Sequence, residues 1–167
     1  MNRFVSNLIL GFFVLALMVV YGFAKQPTVY STMNSKSQPT TQTENTRRVI
    51  LPNGTTITAQ VVTTGEEQRQ GLAGVEKLDG SKGMLFVFAE SGIHSIWMQG
   101  MKIPIDIIWL DDGGQVVHLA KNVPMPTEGE TDLPTYVNEQ PARYVLELAA
   151  GTVESADIKE GSKLVLS

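Results

Sequence analysis

Four residues in the middle of the chain have side chains that could bind a metal ion or transfer a proton: His94, Met98, Met101 and Asp106. His94 with the two methionines would suit copper(I), because soft thioether ligands select that ion. Asp106 with His94 would suit a hydrolase of the cell envelope, in which the carboxylate acts as general acid or base. Methionine is also an ordinary filler of apolar cores, and the spacing does not require His94 to meet Asp106. Both functions remain alternatives.

Asp106 is unusual because it is the one acid in the apolar segment 105–110. An ionised carboxylate among apolar neighbours is costly unless it is paired or hydrogen-bonded. In a structural hypothesis, the partners of the Asp106 carboxylate are the backbone N–H groups of a bend at 102–104, or an arginine such as Arg69. A functional hypothesis places it, with a raised pKa, in a pocket walled by Trp97. The structural hypothesis is favoured.

Composition excludes several classes of function. The chain has 167 residues, a formal net charge of −4 and no cysteine. An acidic chain lacks the basic field that nucleic acid requires. The absence of cysteine excludes disulfides, thiol nucleophiles and thiolate zinc sites. The sequence contains no phosphate-binding loop, dinucleotide fingerprint or Gly-x-Ser-x-Gly elbow. We therefore predict no catalytic set, no metal site and no cofactor, and favour a protein that is not an enzyme.

The N-terminal part of the chain predicts export. An apolar run extends from Leu8 to about Phe23. Its length lies between the core of a signal peptide and a bilayer-spanning helix, so residues 1–24 are either a signal peptide or a membrane anchor. Residues 25–46 are rich in Ser, Thr, Gln and Asn and predict a disordered linker. Residues 47–167 form one domain, which we expect in the periplasm or outside the cell.

The pattern of this domain predicts a mainly β fold, a small sandwich or distorted barrel with one or two short helices. Pro52-Asn53-Gly54 between two β-branched runs indicates a hairpin. Thr64 and Glu67 can form the capping box of a short helix. Alternation in 143–148 places Tyr144, Leu146 and Leu148 on one face and Arg143, Val145 and Glu147 on the other. Further strands are predicted at 83–88, 93–98, 105–110, 115–123 and 163–166, and a second short helix within 149–161.

Five segments, "RQGLAG", "GMLFVF", "IWMQGMKIPIDIIWLDDGGQVV", "PARYVLELAAG" and "IKEGSKL", resemble in order and spacing the family of domain of unknown function 192. The resemblance covers about Ile57 to Leu166. It implies a compact β-rich domain, often exported, with no established activity. Gln99-Gly100-Met101 departs from the family, which usually has a basic residue, Asn and Thr there.

The resulting hypothesis is a non-catalytic binding or accessory protein of the cell envelope. We expect a monomer that touches the membrane only through its N-terminal segment and binds a small molecule or an envelope protein. The candidate ligand-binding residues are Arg69, Trp97, Met98, Asp106, Tyr136 and Glu147.

Overall fold

A computed structural model describes residues 45–167. The predicted signal peptide or anchor, and nearly all of the predicted linker, lie outside the described residues. Within 45–167, none of the helices has the length and apolar character needed to cross a bilayer.

The described chain is mostly β-sheet with two short helices. Seven strands form a curled sheet in the order β6-β5-β8-β3-β2-β1-β9, and β4 pairs with β7 in a second, small sheet. Neighbouring strands are antiparallel except β2 and β3, which are parallel, so the chain crosses over between them. This architecture confirms the predicted fold class. The elements are β1 (Thr46–Ile50), β2 (Thr56–Val62), α1 (Gly65–Gln70), β3 (Lys82–Gly92), β4 (Ser95–Trp97), β5 (Ile105–Leu110), β6 (Val116–Val123), β7 (Thr135–Val137), β8 (Ala142–Ala149), α2 (Thr152–Ser155) and β9 (Val165–Leu166).

Local sequence signals determine the first elements. The β1–β2 hairpin turns at residues 52–54, where Gly54 has a φ of +85° that glycine adopts without strain. Helix α1 begins at the predicted capping box: the Thr64 hydroxyl accepts from Glu67 N at 3.2 Å, and the Glu67 carboxylate accepts from Thr64 N at 3.0 Å. The helix ends at Gly71, whose φ is +47°. These predictions are confirmed.

The strand predicted at 93–98 is shorter than expected. Strand β4 covers only Ser95–Trp97 and pairs with β7, which follows the acidic loop of residues 124–134 and was not predicted. The cause is Asn138, a buried side chain. Its Oδ1 accepts from His94 N at 2.7 Å and its Nδ2 donates to Gly92 O at 2.9 Å. Because the amide side chain occupies His94 N, that N–H is not available to extend β4 toward residue 93.

The sheet buries both of its faces. One core, here called the Leu146 core, includes Leu85, Ile108 and Leu146. The other, the Val145 core, includes Phe86, Ile107 and Val145. Residues alternate between the cores because successive side chains of a strand point to opposite faces. The alternation predicted for β8 is confirmed and β5 alternates in the same way, and this alternation determines which side chains can share a site.

Candidate functional site

A cavity of about 530 Å³ lies on the face of the sheet that carries the Val145 core. Strands β3 and β8 contribute its floor, and α1, β4 and the bend at residues 99–101 contribute its walls. The apolar lining consists of Leu72, Phe86, Phe88, Ile96, Trp97 and Met101. The polar lining includes Gln68, Arg69, Ser95, Gln99, Thr135 and Glu147. Volume and lining are typical of small-molecule sites, which combine an apolar surface with a few polar groups.

Two walls of the cavity are joined to each other. Gly74 N donates to Gly100 O at 2.8 Å, so the loop after α1 is hydrogen-bonded to the bend. Gly100 has a φ of +72°, and a Cβ at this position would lie 3.3 Å from Ala73 Cβ. Lys102 and Glu76 add an exposed ion pair at 2.9 Å. The bend therefore depends on glycine both for its conformation and for its close approach to the neighbouring loop.

Glu147 is the most unusual residue of the cavity. Its side chain is only 4% exposed, and in the described part of the chain no group donates a hydrogen bond to its buried Oε2. Burial raises the pKa of Glu147 to about 8. The side chain is therefore mostly a neutral carboxylic acid at pH 7, which can donate a hydrogen bond as well as accept one.

Gly71 is a close neighbour of the buried acid in the cavity lining. A Cβ at this position would lie 3.8 Å from Glu147 Oε2 and 3.3 Å from Phe86 Cζ. Both Gly71 and Glu147 line the cavity. A side chain at residue 71 would therefore stand against both Phe86 and the acid, so the glycine that ends α1 keeps this part of the lining free of side-chain atoms.

Arg69 contributes the cation of the site. It lies in α1, is exposed and lines the cavity. Among residues 45–167, no carboxylate lies within ion-pair distance of its guanidinium. Arg69 and Glu147 are the two ionisable residues of the lining. With Glu147 protonated, the cavity has a net positive charge.

The other residues predicted for the site divide into two groups. Trp97 lines the cavity and is 49% exposed. Met98 is buried in the Val145 core and Tyr136 is partly buried against the same core; neither is among the residues that line the cavity. The structure thus brings Arg69, Trp97 and Glu147 to one cavity, whereas Met98 and Tyr136 belong to the packing of the core.

Asp106 lies on the other face of the sheet. Its Oδ1 accepts from Asn122 N at 2.7 Å and its Oδ2 accepts from Val153 N at 2.8 Å. Its cross-strand neighbour is Leu148, a residue of the Leu146 core, whereas Glu147 faces the opposite way. The backbone donors are thus not those of the expected bend at 102–104. The structure does not bring Asp106 to the cavity.

The contacts of Asp106 are structural. Val153 is in the first turn of α2, a helix whose N-cap residue, Gly151, offers no side-chain cap. Asp106 accepts the hydrogen bond that an N-cap side chain usually accepts, although it is far away in sequence. Asn122 has a φ of +49°, and the β5–β6 register shifts beside Asp106, between Ile105 and Ile107. One carboxylate thus stabilises both a helix start and a β-bulge.

His94 also has contacts of a structural kind. Its Nε2 lies 3.0 Å from Ala142 O, and its ring stacks on Phe88 with 3.5 Å between the ring centroids. Burial lowers the pKa of His94. Trp109 Nε1 donates to His94 O at 3.0 Å. Asp106 accepts hydrogen bonds from backbone groups on the opposite face of the sheet. The pair of Asp106 and His94 that a hydrolase would use is therefore not assembled.

The copper hypothesis used His94, Met98 and Met101. Met98 is buried in the Val145 core, Met101 lines the cavity, and His94 is engaged with Ala142 O. Within residues 45–167, no cluster of three or more His, Asp or Glu side chains could hold a metal ion.

Sequence reasoning missed most of the apolar lining. Phe86 and Phe88 are two residues apart in β3 and point to one face, which was a readable signal. Gln68, Leu72 and Gln99 gave no comparable signal, because they reach the cavity only through the crossover and the bend.

Comparisons with known proteins bear on the family and the fold. The sequence profile of the DUF192 family, described as "Uncharacterized ACR", matches residues 48–166. A protein from Sinorhizobium meliloti 1021, described as a proposed transcription regulator, is 27% identical with a TM-score of 0.63; the alignment covers 72% of this chain and 92% of that one. A protein of unknown function from Novosphingobium aromaticivorans DSM 12444 is 26% identical with a TM-score of 0.64, covering 72% and 83%. No curated protein matches the chain.

Proposed function

We propose that this chain, which belongs to the family of domain of unknown function 192, is a non-catalytic binding protein for a small amphipathic molecule. The observation that carries the proposal is the cavity of about 530 Å³. Trp97 and Phe88 line it together with Glu147, whose buried Oε2 has no hydrogen-bond partner within residues 45–167. An apolar pocket with few polar groups is the usual form of a small-molecule site.

A binding role fits the lining better than catalysis does. Nucleophilic catalysis by a weak nucleophile usually requires a second, activating group within hydrogen-bond reach of the first. Within the described residues, Glu147 Oε2 has no such neighbour, and the ring of His94 is engaged with Ala142 O. A lone acid can still orient a ligand, which is all that a binding protein requires.

We also propose that the domain acts outside the cytoplasm, carried there by the apolar segment of residues 1–24. The ligand would then be an extracellular or periplasmic molecule, or part of an envelope protein. Transcriptional regulation, the description given to the Sinorhizobium relative, is the weaker proposal. The domain from residue 47 onward has ten basic residues against sixteen acidic ones, an unfavourable balance for DNA.

The test is a thermal-shift screen of the full chain against a library of small amphipathic compounds. We expect at least one compound to raise the Tm of the wild type, because a ligand that binds only the folded state stabilises it. Trp97→Ala should abolish that rise. Ile93→Ala is the matched control, since Ile93 is also exposed but does not line the cavity.

Two outcomes would refute the binding role. One is a library in which no compound raises the Tm of the wild type. The other is protection that survives Trp97→Ala unchanged, because the compound would then bind elsewhere.

A further inference from the structure

We propose that the ligand of this cavity carries a carboxylate on an apolar body, and that Glu147 and Arg69 bind its two oxygens. This inference rests on the binding role and specifies the chemical class of the ligand. It follows from three properties of the cavity: the state of the buried acid, the charge balance of the lining, and the distribution of apolar side chains.

The first property is the hydrogen-bonding demand of Glu147. Oε2 is buried beside Gly71 and lacks a partner within residues 45–167. A protonated carboxyl has an O–H to donate, and a buried donor without an acceptor is unfavourable. A ligand oxygen placed beside Gly71 would accept that hydrogen bond.

The surroundings of Glu147 keep it protonated. The elements packed around it present Gly71 from the end of α1, Met84 and Phe86 from β3, and Ile107 from β5. None of these side chains titrates. Burial therefore raises the pKa of Glu147 to about 8, and in the described residues Arg69 of the same lining forms no ion pair with it that would oppose this rise.

The second property is the charge balance. Arg69 is the other ionisable residue of the lining and precedes Gly71 by two positions in the chain. A guanidinium binds a carboxylate through N–H groups in a planar fork. An ammonium ligand would be repelled by Arg69, and a protonated Glu147 would offer it only an uncharged acceptor. The lining therefore favours an anionic over a cationic ligand.

The third property is the apolar remainder of the cavity. Leu72, Ile96, Met101 and Trp97 contribute apolar surface around the polar groups. At roughly 30 Å³ for each water-sized group, the volume holds on the order of 15–20 non-hydrogen atoms. An arylalkanoic or medium-chain alkanoic acid has this polarity and fits within this volume.

The experiment uses three probes with one apolar body: 3-phenylpropanoate, 3-phenylpropanamide and 3-phenylpropylamine. Each is titrated into the full chain by calorimetry at pH 7 and pH 9. We expect the carboxylate to bind at least 10-fold more tightly than the amine at pH 7. Its affinity should fall about 10-fold from pH 7 to pH 9, because ionised Glu147 repels it and cannot donate.

Two variants assign the effect to the two residues. Arg69→Gln should lower the ratio of carboxylate to amide affinity at least 5-fold. Lys77→Gln, which removes the same charge from an exposed residue outside the lining, should leave that ratio unchanged. Glu147→Gln should bring the ratio of carboxylate affinities at pH 7 and pH 9 close to 1, since glutamine does not ionise.

Tighter binding of the amine, equal binding of all three probes, or no binding at millimolar concentration would overturn the carboxylate assignment. The binding role is tested separately by the library screen. Suppose that a neutral or cationic compound protects the wild type but not Trp97→Ala. The binding role would then stand, and the assignment of a carboxylate ligand would be wrong.

Discussion

Replacing Glu147 by glutamine should change how the stability of the protein depends on pH. The folded state holds the pKa of Glu147 at about 8, against an ordinary value of 4.5. Between these values the folded state binds more protons than the unfolded state, so the wild type loses stability as the pH rises. Glutamine does not titrate, and the variant lacks this loss.

The size of the effect follows from the same two pKa values. One unit of pKa shift corresponds to about 1.4 kcal/mol. Integrated from pH 5 to pH 9, Glu147 should cost the wild type about 3–4 kcal/mol of unfolding free energy relative to the variant. This is an upper bound, because any rearrangement that admits water beside Oε2 lowers the folded-state pKa.

The assay is urea unfolding of the full chain at five pH values between 5 and 9, followed by tryptophan fluorescence. The quantity of interest is the difference in unfolding free energy between variant and wild type, in which other titrating groups largely cancel. Glu139→Gln is the control, since Glu139 is exposed. A difference that stays within about 1 kcal/mol across the range, where the calculation gives 3–4, would refute the reasoning.

Three further substitutions test other parts of the structure. Asp106→Asn should lower the unfolding free energy in urea by about 2–4 kcal/mol, because an amide side chain cannot accept hydrogen bonds from both backbone donors. The affinity for the three probes should not change. A loss of unfolding free energy below about 0.5 kcal/mol would contradict the structural role of Asp106. Trp97→Ala should abolish the rise in Tm that 3-phenylpropanoate causes in the wild type. The Tm without ligand should change little, because the indole is half exposed. A large loss of Tm without ligand would show that Trp97 has a packing role instead. Thr64→Ala should cost about 1 kcal/mol through loss of the capping box, and an unchanged urea midpoint would contradict it.

The fold was predictable where the determining interactions are local. The capping box of Thr64 and Glu67 and the Asn-Gly hairpin each lie within a few residues of chain, so their residue types suffice. The shortened β4 was not predictable, because Asn138, which binds the backbone at Gly92 and His94, lies more than 40 residues further along the chain.

The candidate site was predictable only in part, for a related reason. Alternation in β8 placed Glu147 opposite Leu146, but no local pattern shows that α1 and the bend cover that face and leave a cavity. Asp106 had the opposite outcome. The sequence shows that an ionised carboxylate among these apolar neighbours is unfavourable without hydrogen-bond donors. The donors, Asn122 N and Val153 N, come from segments that reach Asp106 only in the folded protein.

The bulge at Asn122 also bears on solubility. Strand β6 is an edge of the seven-stranded sheet in the described chain, and such edges can pair with other molecules and aggregate. Asn122 turns its N–H toward Asp106, and its left-handed conformation interrupts the regular row of groups that an incoming strand would need. The carboxylate that anchors α2 therefore also protects the edge. Loss of Asp106 should increase self-association at high protein concentration as well as lower stability.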